Sequence, residues 1–163
     1  MRTFILICGL LLIVSCKSKH PTVDNKKIEK TDKTVTVVKP EDVDVAKKDR
    51  AYELGRRLLE ACNTSRFKTF TSNEATDKVR NNATRDKIST TCKKINQRFG
   101  RYRGLTLIDV MHNKVTDDYI FRYSIDYEKK YFKKVLKVTI NNENKVSAIS
   151  TQEINNKSSL AQN

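Results

Sequence analysis

The chain has 163 residues, of which 37% are hydrophobic and 32% charged, and its formal net charge is +14. That length is enough for one domain plus tails. A charge this basic suits nucleic acid in a cytosolic protein; in an exported one it meets anionic head groups and envelope polymers, or serves as a solvated, solubilising surface.

Met1-Arg2-Thr3 is a short positive start, and Phe4 to Val14 is an unbroken apolar run of eleven residues. This has the make-up of a signal-peptide core and is too short to cross a bilayer of roughly 30 Å as a helix. The run closes on Ile13-Val14-Ser15-Cys16, which resembles the bacterial lipobox. The resemblance implies diacylglycerol attached through the Cys16 sulfur, cleavage between Ser15 and Cys16, and a further acyl chain on the freed amine. Two or more acyl chains anchor a protein stably where one does not. Residues 1–15 are therefore expected to be a signal peptide, with Cys8 discarded in it. An Asp after the lipidated cysteine retains some lipoproteins at the inner membrane; Lys17 is not Asp, which points to the periplasmic face of the outer membrane. Export removes nucleic acid from the expected partners and leaves membrane lipid, protein, glycan or a small apolar ligand.

Residues 16–44 are rich in Lys, Thr, Asp and Val, with Val35-Thr36-Val37-Val38 as the only apolar cluster. Such a stretch buries too little surface to offset its chain entropy, so it is expected to be a flexible tether. Pro40 and the acids Glu41, Asp42 and Asp44 predict a helix over 41–63. Ala51, Leu54, Leu58 and Cys62 recur along it at helical spacing. Phe67 and Phe70 suggest a helical turn on the core, and 73–82 a weak helix. Thr84 is placed to cap a third helix, 85–99, with Ile88, Cys92, Ile95 and Phe99 as its apolar edge. Gly100 and Gly104 are expected to end it.

From Leu105 the period changes to two. Leu105, Leu107, Asp109 and Met111 alternate with Thr106, Ile108, Val110 and His112. Tyr119, Phe121, Tyr123, Ile125 and Tyr127 alternate with Ile120, Arg122, Ser124 and Asp126. Phe132, Leu136, Val138 and Ile140 form a third strand and 145–151 a fourth, with turns at 128–130 and 141–144. The whole is expected to be α+β, with three N-terminal helices packed on a curved four-stranded antiparallel sheet over 45–152 and a polar, disordered tail over 153–163.

This order of elements resembles the nuclear-transport-factor-2-like superfamily, the cone-shaped fold shared with ketosteroid isomerase, and especially its small secreted members. Leu54-Leu58-Leu59, Phe67-Phe70, Ile88-Ile95-Phe99, Gly104 and Lys145-Val146 carry the resemblance. It implies a pocket between helices and sheet, which enzymes of the superfamily furnish with an acid, a base or a tyrosine. Asp109, Asp126, Tyr119 and Tyr123 are candidates by type, without matching the family's positions one for one. The stripe Tyr119, Phe121, Tyr123 and Tyr127 either lines such a pocket or fills the sheet core.

Cys62 and Cys92 both lie on apolar helix stripes. In an oxidising envelope they either join in a disulfide, worth roughly 3–4 kcal/mol for a loop of about 31 residues, or remain buried thiols. His112 has no partners at zinc-ligand spacing. No nucleophile elbow, phosphate loop or dinucleotide glycine pattern occurs, so no cofactor is expected. Lys129, Lys130, Lys133, Lys134 and Lys137 gather near one hairpin, as charges that blunt an edge strand do. A non-enzymatic anchored binding module is the first expectation. The rivals are an enzyme working in the pocket and a basic module for anionic lipid or polymer.

Overall fold

In the computed structural model, which describes residues 34–131 and 133–154, the first helix begins later than Pro40 suggests. Pro40–Asp42 is a single 3-10 turn. Asp44 is the true cap, its Oδ1 accepting from the backbone of Ala46 at 2.7 Å and of Lys47 at 3.3 Å. Helix α1 then runs Val45–Thr64. It ends where Ser65 turns left-handed at φ 56°, so the backbone leaves the helix without a glycine. The expected signal peptide, the expected lipidation site Cys16, most of the expected tether, Phe132 and the residues beyond 154 lie outside the described residues.

Helix α2, Asp77–Asn82, is a short piece of the weak helix expected over 73–82. Phe67 and Phe70 lie in irregular chain rather than a helical turn; their rings meet edge to face at 5.5 Å. Helix α3 spans Arg85–Phe99, with Thr84 Oγ1 accepting from Lys87 N, as its sequence predicts. Gly100, at φ 74°, ends it. Gly104 does not; it stands inside the next strand.

The sheet corrects the expected count. Among the described residues it has five strands: β1 Val35–Val38, β2 Tyr102–Asn113, β3 Asp118–Tyr127, β4 Lys134–Ile140 and β5 Val146–Glu153. They form an antiparallel meander in chain order. The additional strand is the apolar cluster of the supposed tether. Val38 pairs with Val110 and Val35 with Asn113. Four β-branched or apolar residues that cannot hold structure alone do so by completing a ladder that β2 already offers.

A bulge in β2 corrects the expected alternation. Leu107 pairs with Tyr123 and Asp109 with Arg122, so Ile108 is the extra residue. The phase flips there. Leu105, Leu107, Val110 and His112 share the helix side with Phe121, Tyr123 and Ile125, while Asp109 and Met111 turn to the open face. Val110 is fully buried as a result.

Helix α1 crosses the middle of the sheet and supplies Ala51, Leu54 and Leu59 to a core built with Phe121, Leu136, Val138 and Ile140. The approach is close because position 55 has no side chain. A Cβ on Gly55 would lie 2.7 Å from Leu136 Cδ2 and 3.4 Å from Val138 Cγ2, both on fully buried residues. Gly55→Ala therefore sets a helix-propensity gain of about 1 kcal/mol against an overpacking cost of about 1–3 kcal/mol. The expected outcome is a lower urea midpoint at unchanged slope. A raised midpoint would show that Leu136 yields without cost.

Candidate functional site

The C-terminal end of α1 is fastened to two neighbours. Cys62 and Cys92 form a disulfide between α1 and α3, with Cα atoms 4.7 Å apart. Asn96, one turn further along α3, donates its Nδ2 to the Cys62 carbonyl at 2.7 Å. Asn63 bonds both backbone groups of Tyr102 at the start of β2, giving to its carbonyl at 2.7 Å and accepting from its N–H at 3.0 Å. Helix α3 is thus held by α1 and has little backbone contact with the sheet.

A cleft of about 160 Å³ remains between α3 and the β4–β5 side of the sheet. Leu58 and Leu59 of α1, Ile88 and Ile95 of α3, Leu136 of β4 and Ile149 of β5 line it. Thr91, Ser150 and Thr151 complete its lining, and no charged residue is among them. A second recess of about 250 Å³ shares Leu58, Ile88 and Ile149 and continues toward Val79 and Ala83. On the other side of Ile88 and the disulfide lies a broader groove of about 690 Å³, between residues 65–68 and the first turns of α3.

The aromatic stripe serves the core. Phe121, Tyr123 and Tyr127 are buried, and none of the stripe lines these concavities. Tyr127 stacks on Phe99 at 5.3 Å, Tyr123 meets Tyr52 at 6.2 Å, and the half-buried Tyr119 stacks on His112 at 4.4 Å. Burial pushes the Tyr127 hydroxyl up to about 12 and raises that of Tyr123 as well, which keeps both neutral.

The candidate acids are elsewhere. Asp109 lies on the open face of the sheet, clamped by Arg122, whose Nε donates at 2.6 Å. Asp126 lies on the same face and pairs with Lys130. His112 meets Asp117 through Nε2 at 2.8 Å. Among the described residues no three His, Cys, Asp or Glu gather as a metal site. The lysine cluster does not guard an edge, because β3 and β4 are interior strands. Lys134 turns to the helix side instead, 4.5 Å from the centre of the Phe99 ring, and burial lowers its pKa.

One charged contact has no signature in the sequence. Arg57 and Glu74 meet in a two-pronged pair at 2.9 Å per prong, each about four-fifths buried. The Arg57 guanidinium also covers the Phe70 ring at 5.0 Å, and Glu74 accepts from Thr71 N at 2.8 Å. This closes the segment between α1 and α2, whose next residues bond the start of β5 through Thr76 N to Val146 O. Seventeen residues separate the partners, and no helical or strand period links them.

No protein family model, curated protein or solved structure matches the chain.

Hydrogen bonds from Arg57 hold the Glu74 carboxyl at about 2, down from 4.5. A carboxylate depressed by folding contributes stability above its unfolded pKa, and that share is lost as pH falls from about 4.5 through about 2. Glu74→Gln should cost about 1–3 kcal/mol at neutral pH and flatten the acid limb of the stability profile; an unaltered limb would remove the pair from the account. Cys62→Ala with Cys92→Ala should cost about 3–4 kcal/mol in denaturant melts without reductant. Equal melts for both proteins would mean the bridge contributes nothing.

Proposed function

We propose that this chain is a lipid-anchored protein of the bacterial envelope, fastened through Cys16 and facing the periplasm from the outer membrane, whose domain binds an apolar ligand without transforming it. The apolar run Phe4–Val14 and the motif Ile13-Val14-Ser15-Cys16 support the anchor. The single observation that carries the binding role is the lining of the α3–β5 cleft: six aliphatic residues and no charged one. Aliphatic surface held open beside a core is costly to hydrate, and a ligand's apolar surface relieves that cost. The acids that an enzyme of the cone type would need, Asp109 and Asp126, stand on the opposite face of the sheet and are engaged by Arg122 and Lys130.

Two measurements test the two halves. Cys16→Ala should abolish incorporation of labelled palmitate and release the protein from washed membranes; a variant that keeps its label ends the anchor. For the cleft, the full lipidated chain in phosphatidylcholine nanodiscs would be labelled at isoleucine methyls and titrated with 1-octanol. Ile88, Ile95 and Ile149 should shift in saturable fashion while Ile120, on the open face, stays still. Ile149→Lys should weaken the response about tenfold or more. Uniform or absent shifts would refute binding in the cleft.

A further inference from the structure

The broad groove gathers four cations. Arg66 and Lys68 line one wall, Arg85 and Lys93 the other, and Asp86 is the only carboxylate among its lining residues. Each pair of cations is placed by local structure. Phe67 is buried edge to face on Phe70, which leaves its neighbours Arg66 and Lys68 exposed in the groove. Arg85 and Lys93 stand two turns apart on α3, with Ser89 between them on the same face. The opposing walls are locked together by the Cys62–Cys92 disulfide and the Asn96–Cys62 bond at the floor.

None of these four cations is ion-paired among the described residues. Elsewhere Arg56, Arg57, Arg80, Arg98, Arg103 and Arg122 each meet a carboxylate. The first turn of α3, a helix of 15 residues, adds its partial positive charge to the same wall. Gathering four cations around a single carboxylate, Asp86, leaves net positive charge in the groove, and an anion relieves it.

The groove and the apolar cleft are bounded by the same three side chains, Cys62, Ile88 and Cys92. Ile88 borders the second recess as well. A chain lying across Ile88 would reach aliphatic walls on one side and four free cations on the other.

We infer that the domain's ligand is a single-chain anionic amphiphile, free in the aqueous phase, with its alkyl chain in the α3–β5 cleft and its phosphate or carboxylate head in the groove of Arg66, Lys68, Arg85 and Lys93. This rests on the reading of the cleft as an apolar binding site and adds the chemistry of the head group.

The test uses the full lipidated chain in phosphatidylcholine nanodiscs, with isoleucine-methyl shifts as readout and octyl phosphate and 1-octanol as probes. Octyl phosphate should bind about tenfold more tightly than 1-octanol at low salt, and the advantage should shrink as salt is raised. Arg85→Gln with Lys93→Gln, both on the exposed helix surface where glutamine is a good helix former, should erase the advantage and leave 1-octanol binding unchanged. Equal affinity for the two probes in the unaltered protein overturns the anionic head while the apolar cleft stands. Absence of binding by either probe overturns both. An advantage that survives the double variant places the head outside the groove and overturns the assignment. The same methyl shifts on exchanging phosphatidylcholine for phosphatidylglycerol, with no probe added, would assign the head to a bilayer lipid and overturn the free amphiphile.

Discussion

The placement of α3 depends on its attachment to one end of α1. A disulfide and a side-chain-to-carbonyl bond join the two helices at Cys62, the sheet holds the far end of α3 through Phe99 on Tyr127 and Arg98 on Glu153, and along the rest of α3 the backbones of helix and sheet stay apart. A helix packed directly on β4 and β5 would bury Ile88, Ile95 and Ile149 against one another. A helix moored from the side leaves them half-buried, facing a gap. The covalent link makes this arrangement cheaper to keep than it would otherwise be, because it removes freedom from the unfolded chain rather than adding contacts to the folded one.

Helix α1 is the opposite case. Its grip on the sheet comes from close packing, which Gly55 permits by letting Leu136 and Val138 reach the helix backbone. Dense contact at α1 and loose contact at α3 divide the domain into a solid half, where Phe121, Leu136, Val138 and Ile140 are fully buried, and a half with concave surfaces. Binding surfaces are drawn from regions with fewer buried contacts, since those regions have unsatisfied apolar area left to offer.

Charge follows the same division. The chain holds 33 basic residues against 19 acidic ones, so carboxylates are the scarce partner. Glu74 is used to close the segment after α1, Asp109 to clamp Arg122, and Glu53 and Glu60 to hold Arg56. The surplus of cations is unavoidable; its concentration around the disulfide is a product of the fold. The exposed pairs of Arg56 contribute little stability individually, and all of these pairs together settle where positive charge remains unanswered.

Much of the secondary structure was legible in the chain. Thr84 and Gly100 bound α3, the stripe Ala51-Leu54-Leu58-Cys62 marks the buried face of α1, and Tyr119 to Tyr127 alternates as β3 does, because capping and periodicity are local properties. The proposed anchor at Cys16 also rests on sequence alone, on the local composition of residues 4–16. The tertiary structure decided what depends on distant partners. Val35–Val38 is a strand only because β2 presents a free edge, so its four residues looked like part of a tether. The bulge at Ile108 reverses the face of every later residue in β2, and no rule of alternation foresees one inserted residue. The pairing of Arg57 with Glu74 and the meeting of Arg66, Lys68, Arg85 and Lys93 around one groove join segments that the chain keeps apart. A pattern along a chain reports which face a residue prefers; only packing decides which faces meet, and how much space is left between them.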